Sequence, residues 1–156
     1  MNLFFDTEFT SLMDKQPELI SIGFVDESGE NEFYAELLHD RSKSSHFVVQ
    51  NVYPLLQGIA KSREEVRANL INWLQKIRNA DDVTCCCDYD GDERLLRWLL
   101  GSDKPEWMWM INIAHLVYFS WLIPENENPL RHHALHDARE LRFRYLNSSG
   151  YFEEIL

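Results

Sequence analysis

The chain has 156 residues, 45% of them hydrophobic and 13% aromatic. That length matches one domain of about 100–200 residues, long enough for a buried core without disulfides or a structural metal, and the composition excludes a disordered chain. Acids outnumber bases 26 to 15, for a formal net charge of −11. This argues against a protein whose main work is non-specific grip on nucleic acid, which needs a basic face. An enzyme that holds nucleic acid locally stays open, because net charge does not say where the charges sit.

No apolar run approaches the roughly 18–20 residues that span a bilayer, so no membrane partner is expected. Residues 1–6 carry no basic region and meet a charge at Asp6, unlike a signal peptide. There is no repeat, low-complexity stretch or Pro/Gly/Ser linker.

Leu3 to Asp6 is an apolar run ending in acid, the pattern of a buried strand. Glu18 to Asp26 is a second, β-branched strand, residues 27–30 signal a turn, and Glu32 to Leu38 reads as a third strand. So short a turn predicts an antiparallel hairpin. Ser62 to Arg78 is the clearest helix. Ser62 with Glu65 forms a capping-box pattern, and Val66, Leu70, Trp73, Leu74 and Ile77 share one face. Asp82 to Asp88 is a strand holding Cys85, Cys86 and Cys87. Adjacent strand residues point to opposite faces, so these cannot form a zinc site by themselves. They read as reduced thiols and point to the cytoplasm. A helix over Glu93–Leu100 closes at Gly101, and Trp107 to Ile111 is a strand whose tryptophans read as core. A short helix is expected over 116–122, and a last helix over 134–146 with Leu135, Ala138, Leu141 and Tyr145 inward. Hairpin first and strand–helix alternation after it give an α/β fold, a mixed sheet with helices packed on it.

Charge is uneven along this layout. Residues 1–40 hold ten acids and one base, 41–80 two acids and seven bases, 81–156 14 acids and seven bases. Arg41, Lys43, Lys61, Arg63, Arg67, Lys76 and Arg78 are either the place for phosphate contacts or a solvated helix face with pairs such as Glu64–Arg67.

Acids recur at the ends of apolar strands. Asp6 and Glu8 alternate, so both carboxylates share a face. Such crowding is tolerated where a hard divalent cation sits between them, though exposed strands also end in acids. Asp88, Asp90 and Asp92 alternate before a helix, and Asp92 stands where an N-cap would. Asp137 lies in the first turn of the last helix, five positions after His132. An inward carboxylate with a nearby imidazole suits a metal hydrolase, while His133 and His136 read as surface residues.

In this order the clusters resemble the DEDDh 3′–5′ exonuclease superfamily, the RNase T-like group of the ribonuclease H-like fold. Phe4 to Phe9 looks like its first motif, D-x-E, and His132 to Ala138 looks like its third, H-x-A-L-x-D-A. In the second motif an aspartate opens a helix with apolar residues three and four positions later. Asp92 fits, with Leu95 and Leu96 there; Asp90 does not, and Asp88 is held in reserve. The asparagine that often precedes this aspartate in the family is absent. Position 133 is His133, so the third motif of tyrosine-type exonucleases is absent too. The short chain and the run Glu18–Gly23 resemble the compact bacterial 3′-exoribonuclease branch.

The resemblance implies one exonuclease domain over 1–156, with three antiparallel strands followed by parallel ones, flanked by helices. It implies two Mg²⁺ or Mn²⁺ ions, one held by Asp6, Glu8 and Asp137, the other by Asp6 and Asp92. His132 would be the general base, and Thr7 and Phe9 substrate contacts, with core packing the alternative for Phe9. The substrate would be the 3′ end of single-stranded RNA or an overhang, released as nucleoside 5′-monophosphates. A homodimer is expected, with one subunit's basic surface presenting substrate to the other. DNA, short oligonucleotides, and a non-catalytic nucleic-acid-binding module on the same fold are the alternatives.

Overall fold

The computed structural model describes residues 1–117 and 130–153. Among these residues six strands form one sheet, in the order β4-β3-β2-β1-β5-β6. β1 (Asn2–Phe9) runs antiparallel to β2 (Leu19–Asp26), which runs antiparallel to β3 (Glu32–Leu37). The hairpin turn is organised by Asp26, whose carboxylate accepts the backbone N–H groups of Gly29, Glu30 and Asn31. β5 (Val83–Cys87) lies parallel to β1, and β6 (Met108–Asn112) parallel to β5. The sheet is the expected mixed one. The two-residue strand β4 (Ala60–Lys61), parallel to β3, is too short for any sequence pattern.

The helices cover both faces. α1 (His46–Asn51) was not expected from sequence; Ser45 caps it by accepting the N–H of Val48. α2 (Arg63–Ile77) has the expected capping box, with Ser62 and Glu65 bonding reciprocally at 3.2 and 3.1 Å. α3 (Asp90–Leu100) and α2 bury Leu70, Leu74, Leu95, Leu96 and Leu99 against Leu3, Phe5 and Phe24. α4 (Ala114–Val117) and α5 (Ala134–Glu153) cover the other face, where Ala138 and Leu141 meet Phe4, Val25 and Cys86. Each fully buried Leu or Phe contributes roughly 1.5–3 kcal/mol. The rest of the helix expected over 116–122 lies outside the described residues. No helix among the described residues is long and apolar enough to cross a membrane.

Three expectations are corrected. α3 begins at Asp90, not Glu93, and Tyr89 is its N-cap residue, with no side-chain cap; the carboxylate of Asp92 is engaged elsewhere. Trp109 is 59% exposed, because β6 is an edge strand and this residue points away from the α2/α3 core. Arg67 pairs with Asp103 at 3.1 Å, not with Glu64. The three cysteines are buried and free, and burial pushes the thiols of Cys86 and Cys87 up to about 12.

Gly23 sets how closely α5 approaches the sheet. A Cβ there would run into the backbone of Ala134 and Leu135. Gly23 sits opposite Asp6 in the β1–β2 ladder, so this close approach fixes the start of α5 over the acidic end of β1. Gly23→Ala should lower stability by roughly 1–3 kcal/mol, the range for overpacking, measured by urea denaturation. An unchanged midpoint would show that α5 can shift without cost.

Candidate active site

The sheet brings the acids together by parity. Phe4 packs on the α5 side, and alternation puts Asp6 and Glu8 on that same face. The register of β1 against β2 shifts between Glu8 and Phe9, a bulge of the kind that re-aims side chains beside active sites. α5 supplies Asp137 from its first turn. β5 ends beside β1 and supplies Asp88, and α3 supplies Asp92. The site therefore lies at the carboxyl ends of β1 and β5, where open α/β sheets place their ligands.

Two sets of possible ligands result. One ligand atom each of Glu8, His132 and Asp137 lie within 4.8 Å of one another, as do those of Asp6, Asp88 and Asp92. Asp6 groups with the α3 side and Glu8 with the α5 side, and Asp88 joins the cluster. Asp90 does not; its carboxylate accepts a hydrogen bond from Asn112 Nδ2 at 2.6 Å and is exposed.

Thr7, expected as a substrate contact, is 4% exposed and points to the opposite face. Its hydroxyl donates to Asp92 Oδ1 at 2.5 Å. Thr7 therefore holds a carboxylate in place from behind. Asp92 is itself 2% exposed, a depth no N-cap role would require.

His132 has a left-handed backbone, φ 73°, uncommon for a residue with a side chain. That conformation lets its N–H donate to Asp137 Oδ2 at 2.8 Å while the imidazole stays near Glu8. The edge of the Phe47 ring meets the imidazole at 4.9 Å and 87°. Sequence reading missed Phe47, because the signal was a helix of six residues. His133 is not on the surface as expected. It is 5% exposed and stacks on Tyr34 with centroids 4.4 Å apart, since it is the residue through which the chain enters α5 against β3. His136 is half-buried beside Arg139.

A cleft of about 560 Å³ opens over these groups. Phe9 and Tyr89 line it as a stacked pair, 6.2 Å apart and 12° from parallel. Leu12, Met13 and Phe47 form exposed apolar rims. The cations that line it are Arg131 and Arg144, neither from the basic segment 41–80. Four of that segment's seven bases are engaged elsewhere. Lys43 pairs with Glu18 and Arg67 with Asp103, while Arg63 and Arg78 bond backbone carbonyls.

Burial and mutual repulsion hold protons on the acids. The carboxyl of Asp6 is raised well above its ordinary value by burial, then by Asp92, Glu8, Asp137 and Asp88. Burial, with Asp137 and Asp92, pushes Glu8 up to about 8. Burial also raises Asp92 to about 7, against the lowering hydrogen bond from Thr7, and Asp137 to about 6, against the N–H of His132. His132 is lowered by burial and by Arg131. Five carboxyl groups and one imidazole converge, and among the described residues only Arg131 and Arg144 bring a guanidinium near them. Such a hard-oxygen set fits Mg²⁺ or Mn²⁺.

The chain matches no protein-family model and no curated protein. Among solved structures it is similar to S. pombe Pop2p in its Mg²⁺- and Mn²⁺-bound form, at 15% identity and a TM-score of 0.55, over 94% of this chain and 84% of that one. The likeness establishes the fold, which is ribonuclease H-like.

The raised acids predict a pH dependence. The folded protein keeps protons that the unfolded chain releases near pH 4, so stability is full below that range. It declines as pH rises through the folded values of about 6, 7 and 8. In chelator, Tm should fall steadily between about pH 4 and pH 8. Millimolar Mg²⁺ or Mn²⁺ should raise Tm most at the alkaline end. A Tm that ignores both pH and metal would contradict this picture of the site.

Proposed function

We propose that the protein is a metal-dependent 3′–5′ exonuclease that removes nucleoside 5′-monophosphates from the 3′ ends of single-stranded RNA or overhangs. The observation that carries this is the convergence of Asp6, Glu8, Asp92 and Asp137 with His132 in one cleft of a ribonuclease H-like sheet. Asp6 and Asp92 would hold one divalent cation, and Glu8 and Asp137 the other, with Asp6 between them. Bound cations would supply the positive charge that steadies the attacking and leaving oxygens of a phosphodiester.

The chain's own residues do the rest. The lowered His132 is neutral near pH 7, the form that accepts a proton from an attacking water. Its left-handed backbone and the Phe47 edge hold the ring at the mouth of the cleft. Phe9 and Tyr89 present ring faces on which a terminal base stacks without regard to sequence, worth roughly 1–3 kcal/mol per base. Thr7 fixes Asp92.

A 3′-overhang RNA, the matched DNA and a dinucleotide, each with Mn²⁺ or with chelator, test the reading. Stepwise 3′ shortening that needs metal is expected. Asp6→Ala should abolish it, and His132→Ala should slow it by about 10²–10⁴-fold, the usual contribution of a general base. Shortening from the 5′ end, or 3′ shortening that survives Asp6→Ala, would refute the assignment.

A second reading concerns length. Only Arg131 and Arg144 among the described residues bring positive charge to the cleft, which favours short oligonucleotides over long polymers. On that reading the dinucleotide is degraded at least as fast as the long RNA, and its rate varies little with salt because few phosphates are neutralised. A homodimer whose partner surface supplies further cations would reverse both results, and sedimentation at assay concentration separates the cases.

A further inference from the structure

We infer that Asp88 is a metal ligand, a fifth carboxylate that completes the site of the second cation together with Asp6 and Asp92. The inference rests on the metal-dependent reading above and specifies which residues carry it.

The sheet places Asp88 by register. Cys86 of β5 lies opposite Phe4 of β1 in a parallel pair, and both face α5. Two residues further along come Asp6, on that same face by alternation, and Asp88, the residue that follows the end of β5. One carboxylate oxygen each of Asp6, Asp88 and Asp92 lie within 4.8 Å of one another.

The structural roles open to Asp88 are not filled. It does not cap α3, whose N-terminus has no side-chain cap. No other side chain among the described residues donates a hydrogen bond to it; its own backbone N–H does, and Arg144 acts on it only through space. Arg144 is paired with Glu140 one turn earlier on α5. The neighbouring acids differ. Asp90 is tied to Asn112, and one oxygen of Asp92 to Thr7. Asp88 thus keeps its oxygens for whatever enters the cleft. A partly buried carboxylate beside two others, bonded only to its own backbone N–H among the described residues, is repulsive without a cation and favourable with one.

Three protein carboxylates would retain the second cation before any nucleic acid arrives. With Asp6 and Asp92 alone, the phosphate of the substrate would have to complete that site. The test is Mn²⁺ titration of the full chain without nucleic acid, by calorimetry and by the electron paramagnetic resonance of free Mn²⁺. Wild type, Asp88→Asn and Asp90→Asn are compared. Wild type and Asp90→Asn should each bind two ions alike. Asp88→Asn should keep one and lose at least about tenfold in affinity for the other, the smaller loss seen when even an outer partner of a metal is removed. Its metal-free Tm should equal or exceed that of wild type, since a repulsive charge is gone.

Binding by Asp88→Asn that matches wild type, at any stoichiometry, overturns the inference. So does a lower metal-free Tm in Asp88→Asn, which would mark a structural role. Wild-type protein that neither binds Mn²⁺ nor shortens a 3′ end overturns the exonuclease reading itself, a result distinct from the other two.

Discussion

The structure is organised around a repulsion. Asp6, Glu8, Asp88, Asp92 and Asp137 are forced to one end of the sheet, and each has its carboxyl raised by burial before its neighbours add to it. Hydrogen bonds from Thr7 and from the His132 N–H offset only part of what this arrangement costs. It is imposed by β1 and β5, whose apolar halves are locked in the sheet, and by helix starts fixed on either side. On one face Leu95, Leu96 and Leu99 hold α3. On the other, Ala138 and Leu141 hold α5, and Gly23 admits its first turn against the strand. Packing over the length of the sheet offsets a cost concentrated at its end. The same cost is what a bound divalent cation would relieve.

Most of the sheet was legible because its signals are local. An apolar run, a turn and a second run specify a hairpin, and a capping box with a periodic face specifies α2. The acids Asp6, Glu8 and Asp137 were legible because each follows or opens a strong element. The second acidic cluster was harder. Three aspartates alternate, and sequence cannot say where the helix begins within them. One turn of helix decides which of Asp90 and Asp92 faces the sheet, and the decision is made by Thr7, 85 residues away. Asp88 was ambiguous for the same reason, since its place depends on the pairing of β5 with β1.

Other misses share that origin. His133 looks like a surface residue in a polar stretch, but its ring is needed to fill the gap between β3 and the start of α5. Trp109 looks like core, but an edge strand has one neighbour fewer to bury it. α1 escaped because its hold is tertiary. Val48 and Val52 pack on Ile20, and Ser45 N–H bonds to the carbonyl of Thr10, which closes the loop after β1. That connection carries Phe47 to His132.

Charge was the most misleading guide. The basic segment 41–80 is a candidate for phosphate contacts only while its partners are unknown. In the fold Lys43, Arg63, Arg67 and Arg78 are engaged by Glu18, Asp103 and backbone carbonyls, and so brace the scaffold, and none of the segment's bases lines the cleft. The cleft instead takes its cations from Arg131 and Arg144, which flank His132 and Asp137 in sequence. On the proposed reading, an acidic chain would act on an anionic substrate on these terms. With the acids that dominate the cleft neutralised by protons or by metal, its outward character would come from Arg131, the Arg144–Glu140 pair and a pair of stacked rings. On the proposed reading, attraction for a phosphodiester would depend on ions held at the end of β1, which would couple binding of substrate to binding of metal more tightly than in a site lined with lysines.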